Sequence, residues 1–396
     1  MRRLTTLAQP SGEAESIQGW LVVAATFVST ATIFGITYSF GTFFKVMAQE
    51  FGADSSRTAL MFGLTIFFLF VLGFPAGKAS DRFGPRPVVL FGCFAIVTGL
   101  MLTSLVQSIT VGYLTYGFGI GVGVACCYVP LVSQVSAWFD RRRAMALGFA
   151  VSGIGVGTLV ASPTAAWLIR SHGWRETYRI LAVVALIGLL LSAALVQRAP
   201  ALAGATRFEL RPVLASPVFR SMYLGGLLMS LSLFVPFVFL GQYAIEHGVE
   251  ASVAAWLTSF LGLGSLGGRL ILGLFVEKVG LLRLYQGCFA TLAGSFFIWL
   301  GSGGRFAVLA VFAFVLGTSY GGYVALSPAA SAQLFGLNGL GSILGALYTA
   351  GGLGGLIGPP VAGLIIDRTG RYEPAIITAL LLGCASVVVL RRAIAA

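Results

Sequence analysis

One arginine lies deep inside an apolar stretch, where a charge is costly. Arg269 follows Trp256 by thirteen residues and precedes Val276 by seven, which puts it roughly 10 Å from one end of a helix at 1.5 Å per residue. All thirteen acidic residues fall in tails, loops or helix ends. A guanidinium without a charged partner can bind a carboxylate through two parallel hydrogen bonds. We therefore interpret Arg269 as an anion anchor; the alternative is a structural arginine that backbone carbonyls and water satisfy, or one that reaches the surface.

An anion held in this way needs hydrogen-bond donors for its other oxygens and an apolar surface for its carbon tail. Aromatic and hydroxyl side chains of the apolar runs could supply both, although each of them alone is more often a packing residue. The candidates that we expect around Arg269 are Tyr128, Tyr320, Tyr38, Tyr323, Phe234, Phe237 and Ser265.

The composition requires that this site lie in a membrane. The chain has 396 residues, of which 57% are hydrophobic and 10% charged, against about 25% charged in a soluble domain. A spanning helix needs about 20 apolar residues, and twelve such runs occur. They cover approximately 18–44, 57–77, 87–108, 111–137, 144–169, 178–197, 221–245, 252–276, 283–302, 306–329, 339–365 and 373–391. No acid pair, metal cluster or nucleophile–base set occurs within the runs, so an enzyme is not expected.

The net charge of +12 reports topology rather than a nucleic-acid partner, because basic residues collect on the cytoplasmic side of membrane proteins. With the N-terminus inside, sixteen Lys and Arg lie on the cytoplasmic side and seven on the other. We expect both termini to be cytoplasmic. The predicted organisation is a tail (1–17), a six-helix half (18–197), a cytoplasmic loop (198–220), a second half (221–391) and a tail (392–396).

The two halves resemble each other in sequence. The motif from Gly77 to Gly84, which contains Asp81-Arg82, recurs as Gly273 to Gly280 with Glu277-Lys278, and Tyr128-Val129 recurs as Tyr323-Val324. An internal repeat of this size indicates two like-folded halves that can rock about a site between them. The fold class predicted is an all-α membrane protein of twelve transmembrane helices in two pseudo-symmetric six-helix halves.

Charged residues at the cytoplasmic ends of the helices could form a gate. Acids there can pair with bases or helix N-termini in one state and release them when the halves rock. The alternative is that these charges only set the topology and that Gly84 makes a tight turn. The candidate gate residues are Asp81, Arg82, Arg86, Arg143, Glu277 and Lys278.

Several stretches resemble known transporters. The segment GKASDRFGPR (Gly77 to Arg86) resembles the loop between the second and third helices of the major facilitator superfamily. Three others, Tyr38 to Phe51, Tyr128 to Gly148 and Gly264 to Gly273, resemble the monocarboxylate transporter family and its oxalate/formate exchanger relatives. The resemblance implies transport of small organic anions such as lactate or pyruvate, usually with a proton. It also implies that Arg269 matches the essential arginine in the eighth helix of the monocarboxylate transporter family.

The sequence also departs from this family. Animal members have a first-helix lysine where this chain has Tyr38, and an acid one turn before the arginine where it has Ser265. Both groups have been assigned proton or substrate roles. The dicarboxylate exchangers add a lysine in the eleventh helix, but the run 339–366 contains no base, which favours a substrate with one carboxylate.

We therefore expect a monomeric secondary transporter of small monocarboxylates, in a bacterial inner membrane, with proton symport and no cofactor. Its partners would be the carboxylate and the lipid bilayer, not nucleic acid. The alternatives are an organic-anion exchanger or exporter of the same fold, for an oxalate-like or larger acid, and a membrane sensor that does not transport.

Overall fold

The computed structural model of the chain describes residues 17–139, 142–199, 210–336 and 340–395. Most of the predicted N-terminal tail, Arg141 of the basic run, the middle of the predicted loop 198–220 and the last residue lie outside the described residues. Within the described ranges the regular structure is entirely helical. The predicted all-α membrane fold is confirmed.

The helices follow the apolar runs in order. We label them α1 Ile17–Phe51, α2 Ser55–Phe83, α3 Pro85–Thr103, α4 Ile109–Trp138, α5 and α6 within Arg143–Leu195, α7 Pro217–Glu246, α8 Ala251–Val279, α9 Leu281–Leu300, α10 Phe306–Phe335, α11 Leu340–Thr369 and α12 Glu373–Ala395. A short helix, Leu210–Ala215, precedes α7. Helices α1–α6 form the N-terminal half and α7–α12 the C-terminal half.

Helices α5 and α6 follow each other without a loop and are separated by a kink at Gly173. Its φ of 80° and ψ of 164° are not helical, and glycine adopts this positive φ without a Cβ clash. The 53-residue segment therefore contains two membrane crossings, which makes twelve crossings in the described part of the chain.

Some predicted boundaries were wrong by several residues. The third run was predicted to reach 108 but its helix ends at Thr103, and the tenth was predicted to end at 329 but continues to Phe335. Residues 392–395 of the predicted tail belong to α12. Apolar composition follows membrane thickness, whereas a helix continues until a residue such as Gly336, with φ of 83°, turns the backbone away.

The two halves pack closely where α2 meets α11 and α5 meets α8. A Cβ on Gly63 would lie 3.0 Å from the carbonyl oxygen of Gly355, and one on Gly155 would lie 2.8 Å from that of Gly262. Small residues at such crossings let two helix backbones approach, which is how membrane helices gain dispersion energy.

The halves are also joined at one end of the bundle. We call the end at which α1 begins the terminal end, and the other the opposite end. At the opposite end the carboxylate of Asp367 in α11 accepts hydrogen bonds from the backbone N–H groups of Ser55 and Ser56, both 3.0 Å long, at the start of α2. Arg170 of α5 pairs with Glu250, before α8, at 2.8 Å. Both contacts must break if this end opens.

We expect Asp367→Ala to open the opposite end. The change removes the acceptor of two backbone donors at a helix N-terminus, an interaction worth about 1 kcal/mol, so the open population should rise about fivefold. Electron–electron distance measurements between spin labels at Val111 and Ala251 in lipid nanodiscs would detect the longer distance.

The matched control is Asp54→Ala. The Asp54 carboxylate accepts a hydrogen bond from the backbone N–H of Arg57 at 2.7 Å, also at the start of α2, but both residues belong to the N-terminal half. Loss of this bond should therefore leave the distance between the labels unchanged. An equal shift in both variants would mean that fraying of α2, and not separation of the halves, causes the change.

Candidate functional site

A cavity of about 40 Å³ lies between the halves in the middle of the bundle. Its walls come from α1, α2, α4 and α5 of one half and α7, α10 and α11 of the other. Eight of its fourteen lining residues are aromatic. The walls therefore offer ring faces and hydroxyl groups rather than charges.

Two helices that line the cavity break at equivalent places. Helix α1 is interrupted at Ser39 and α7 at Phe234. In α7 the cause is Pro236, which has no N–H to continue the hydrogen-bond ladder. The broken segments touch each other, because a Cβ on Gly41 would lie 2.6 Å from the carbonyl oxygen of Phe237. The breaks aim Tyr38 and Phe234 into the cavity.

Arg269 lies beside this cavity and is buried, with 4% of its surface exposed. Its Nη1 donates a hydrogen bond to the hydroxyl of Ser265, one turn earlier. Its Nε and Nη2 are buried and make no hydrogen bond. Its guanidinium carbon stands 5.4 Å from the ring centroid of Tyr320, a cation–π contact. Two donor nitrogens of a buried cation are thus available to an acceptor.

The position of Arg269 depends on close packing of α8 against α10. A Cβ on Gly268 would overlap the carbonyl oxygen of Thr318, and one on Gly321 would overlap that of Ser265. Only glycine fits at these crossings, and the contact holds Arg269 against Tyr320. Beyond Ile271 the helix narrows to a 3₁₀ segment, Leu272–Phe275.

The structure brings together most of the residues predicted around the anion. Tyr38, Tyr128, Phe234, Tyr320 and Tyr323 all line the cavity. Their assignment to substrate binding remains a prediction.

Three predicted residues are not part of the cavity wall. The guanidinium of Arg269 stands against the ring of Tyr320 and is hydrogen-bonded to Ser265. Phe237 packs against Tyr38 with ring centroids 4.3 Å apart.

The hydroxyl groups of Tyr38 and Tyr320 share a hydrogen bond of 2.8 Å. This bond connects α1 of one half with α10 of the other. Tyr38 and Tyr320 are 2% and 6% exposed, so the bond is shielded from bulk water.

Sequence reasoning missed several lining residues. Tyr348 is the one aromatic side chain of α11 and packs near Phe70 of α2, with ring centroids 6.0 Å apart. Its isolation in a glycine-rich helix is a signal that could have identified it. Phe34, Ser230 and Ser327 also line the cavity, but nothing in their local sequence separates them from packing residues.

The predicted gate residues lie away from the cavity, at the terminal end. Asp81, Arg82, Arg86, Arg143, Glu277 and Lys278 are all exposed. Nη2 of Arg198 donates to the backbone carbonyl of Asp81 at 2.7 Å, and Nε of Arg143 donates to the carbonyl of Phe139 at 3.0 Å. Their location fits a gate, which stays a prediction.

A second, larger groove of about 380 Å³ runs along α2, α3 and α4. Its lining is apolar apart from the thiol of Cys126. Its described lining residues offer no charged group to an anion, so the cavity near Arg269 is the better candidate site.

Comparison with known proteins agrees with this architecture. A model of the Major Facilitator Superfamily matches residues 26–359 and, in a second alignment, 222–394. Monocarboxylate transporter 11 of Mus musculus is 30% identical over 387 residues, covering 92% of this chain and 85% of that protein. Monocarboxylate transporter 13 of Bos taurus is 29% identical over 374 residues, covering 91% and 86%. The crystal structure of a D-xylose-proton symporter shares the fold, with a TM-score of 0.74 at 15% identity over 94% of this chain and 97% of that one. The chain is a multi-pass membrane transporter that belongs to the Major Facilitator Superfamily and, within it, to the monocarboxylate transporter family.

Proposed function

We propose that the protein carries a small monocarboxylate, such as lactate or pyruvate, across the membrane by alternating access together with a proton. The observation that carries the proposal is the buried Arg269 with two unpartnered nitrogens beside the central cavity. A carboxylate there would form charge-assisted hydrogen bonds, which are about twice as strong as neutral ones.

The surroundings of Arg269 favour a substrate with a single negative charge. Helix α11 has no basic residue before Arg368, near its end, and the cavity wall supplies hydroxyl groups and rings rather than a second cation. The hydroxyl groups suit the keto or hydroxyl oxygen of the substrate, and the rings suit a short carbon tail.

The test is uptake into liposomes that contain the purified protein. Labelled lactate, pyruvate, formate, acetate and oxalate are offered with and without an inward proton gradient. Gradient-stimulated uptake of a monocarboxylate supports the proposal. Absence of transport of all five acids contradicts it and favours a larger acid or a sensor.

An anion exchanger of the same fold is the second candidate, and one observation favours it. Among the described residues that line the cavity there is no carboxylate, histidine or lysine, so the wall offers none of the usual proton-carrying side chains. An exchanger needs no such group. Uptake that ignores the proton gradient but requires an internal anion would support exchange.

If symport operates, we expect the substrate to bring the proton as a carboxylic acid and to share it with the groups beside Arg269 once it is bound as a carboxylate. The pH midpoint of uptake should then follow the pKa of the acid. Formic acid is stronger than acetic acid, so as the pH is raised the uptake of formate should fall at a lower pH than the uptake of acetate. Initial rates for both acids over a pH series, corrected for diffusion into protein-free liposomes, measure the midpoints. Equal midpoints would mean that a protein group carries the proton.

We further propose that the protein acts as a monomer in a bacterial inner membrane, with both termini in the cytoplasm. The excess of basic residues on the terminal side supports this orientation. No cofactor is proposed.

A further inference from the structure

The hydrogen bond between Tyr38 and Tyr320 joins the two halves at the level of the substrate cavity. The two residues are 282 positions apart in the chain, and each belongs to a different half. Both rings also contact Phe237, at centroid distances of 4.3 Å and 5.9 Å. The bond therefore lies within a packed cluster of aromatic rings.

One member of this pair, Tyr320, lies against Arg269. Tyr38 and Tyr320 line the cavity and Arg269 does not, while the guanidinium lies against the ring of Tyr320. Arg269 is 4% exposed and does not line the cavity, so an anion that enters the cavity can reach Nε and Nη2 only after side chains beside Arg269, such as the Tyr320 ring, move. The two unpartnered nitrogens make this move favourable, because a buried cationic donor without an acceptor is costly and an anion removes that cost.

A carboxylate would also compete for the two hydroxyl groups. In the pair, one phenol donates and the other accepts, so only one of the two hydroxyl protons takes part in the bond. An ionised carboxylate oxygen is a stronger acceptor than a phenol oxygen. Both hydroxyl groups would then donate to the anion instead of bonding to each other.

We propose that the Tyr38–Tyr320 pair is a substrate-operated link: it holds the halves together when Arg269 is empty and is released when a carboxylate binds to Arg269. This inference rests on the proposed function for its anion. It explains how occupation of the site can change the contact between the halves, since the bound anion accepts hydrogen bonds from both hydroxyl groups and so breaks the bond between them. The empty transporter would reorient slowly and the loaded one quickly.

The test uses Tyr38→Phe and Tyr320→Phe, which remove a hydroxyl and keep the ring. Uptake of the labelled monocarboxylate is measured in liposomes with and without the same unlabelled acid inside. In the wild type, internal acid should stimulate uptake because the loaded carrier returns faster than the empty one. The variants should lower this stimulation about two- to tenfold, the factor that one neutral hydrogen bond provides.

Tyr223→Phe is the matched control. Its hydroxyl bonds to that of Thr349 at 3.2 Å, but both residues belong to the C-terminal half, so its stimulation ratio should equal that of the wild type. A ratio that is unchanged in both Tyr38→Phe and Tyr320→Phe, while uptake persists, would overturn the link.

A distance measurement separates failure of the link from failure of the proposed substrate. Spin labels at Val111 and Ala251 report the separation of the halves without any acid present, and Tyr38→Phe should change their distance distribution. Lactate or pyruvate should change the wild-type distribution in the same direction. A shift in the variant with no response of the wild type to either acid would support the link but overturn the monocarboxylate as its ligand. No shift in the variant would overturn the link itself.

Discussion

Replacement of Arg269 by alanine is expected to abolish monocarboxylate uptake. The substitution removes a buried cation beside the cavity and both unpartnered nitrogens, Nε and Nη2. Loss of a bidentate, charge-assisted contact should lower the initial rate on the order of 100-fold. Uptake of labelled lactate or pyruvate into liposomes with equal amounts of reconstituted protein measures the loss.

Arg269→Lys should restore only part of the activity. An ammonium keeps the charge but lacks the planar pair of donors that matches a carboxylate. The matched control is Arg220→Ala, which removes an exposed positive charge at the terminal end and should leave uptake unchanged. If lysine and alanine at 269 reduce uptake equally, the geometry of the guanidinium is essential.

Stability distinguishes a ligand-binding arginine from a structural one. A buried cation with unpartnered donors destabilises the fold, so its removal should leave the thermal unfolding midpoint unchanged or raise it. A structural arginine would behave in the opposite way. A midpoint that falls by several degrees in Arg269→Ala would contradict the anion-anchor role and favour the structural one.

The second large effect is expected from one methyl group beside Arg269. In Gly268→Ala the new Cβ would overlap the carbonyl oxygen of Thr318 and lie 2.9 Å from the backbone nitrogen of Gly322. These are backbone atoms of α10, which cannot rotate away, so the two helices must separate. Overpacking of this kind costs about 2 kcal/mol. The separation should also move Arg269 from Tyr320, so both the unfolding midpoint and uptake should fall.

The neighbouring glycine provides the control. A Cβ on Gly267 would meet only Cδ1 of Ile271, at 4.0 Å. Gly267→Ala should leave uptake unchanged and stabilise α8 slightly, because alanine favours helix more than glycine does. If the two alanine variants behave alike, the close approach of α8 and α10 is not what positions Arg269.

Much of the architecture was predictable from the sequence, because the bilayer makes it a local property. A run of apolar residues long enough to span the membrane must form a helix to satisfy its backbone, whatever lies beside it. The twelve helices follow from this rule, and the repeat of the Asp81 motif at Glu277 adds the division into two like halves. The depth of Arg269 along its helix was also predictable, since it depends only on its distance from the ends of its own run.

The contacts between the halves were not predictable, because they join positions that no local period relates. The bond from Tyr38 to Tyr320 spans 282 residues, and that from Asp367 to Ser55 spans 312. Tyr348 becomes a lining residue only because α11 packs against α2. The sequence alone therefore determined which groups are inside the membrane, since hydropathy acts along each helix separately. Only the tertiary structure decided which of them meet at Arg269, because that depends on how glycines let the helices and the two halves approach.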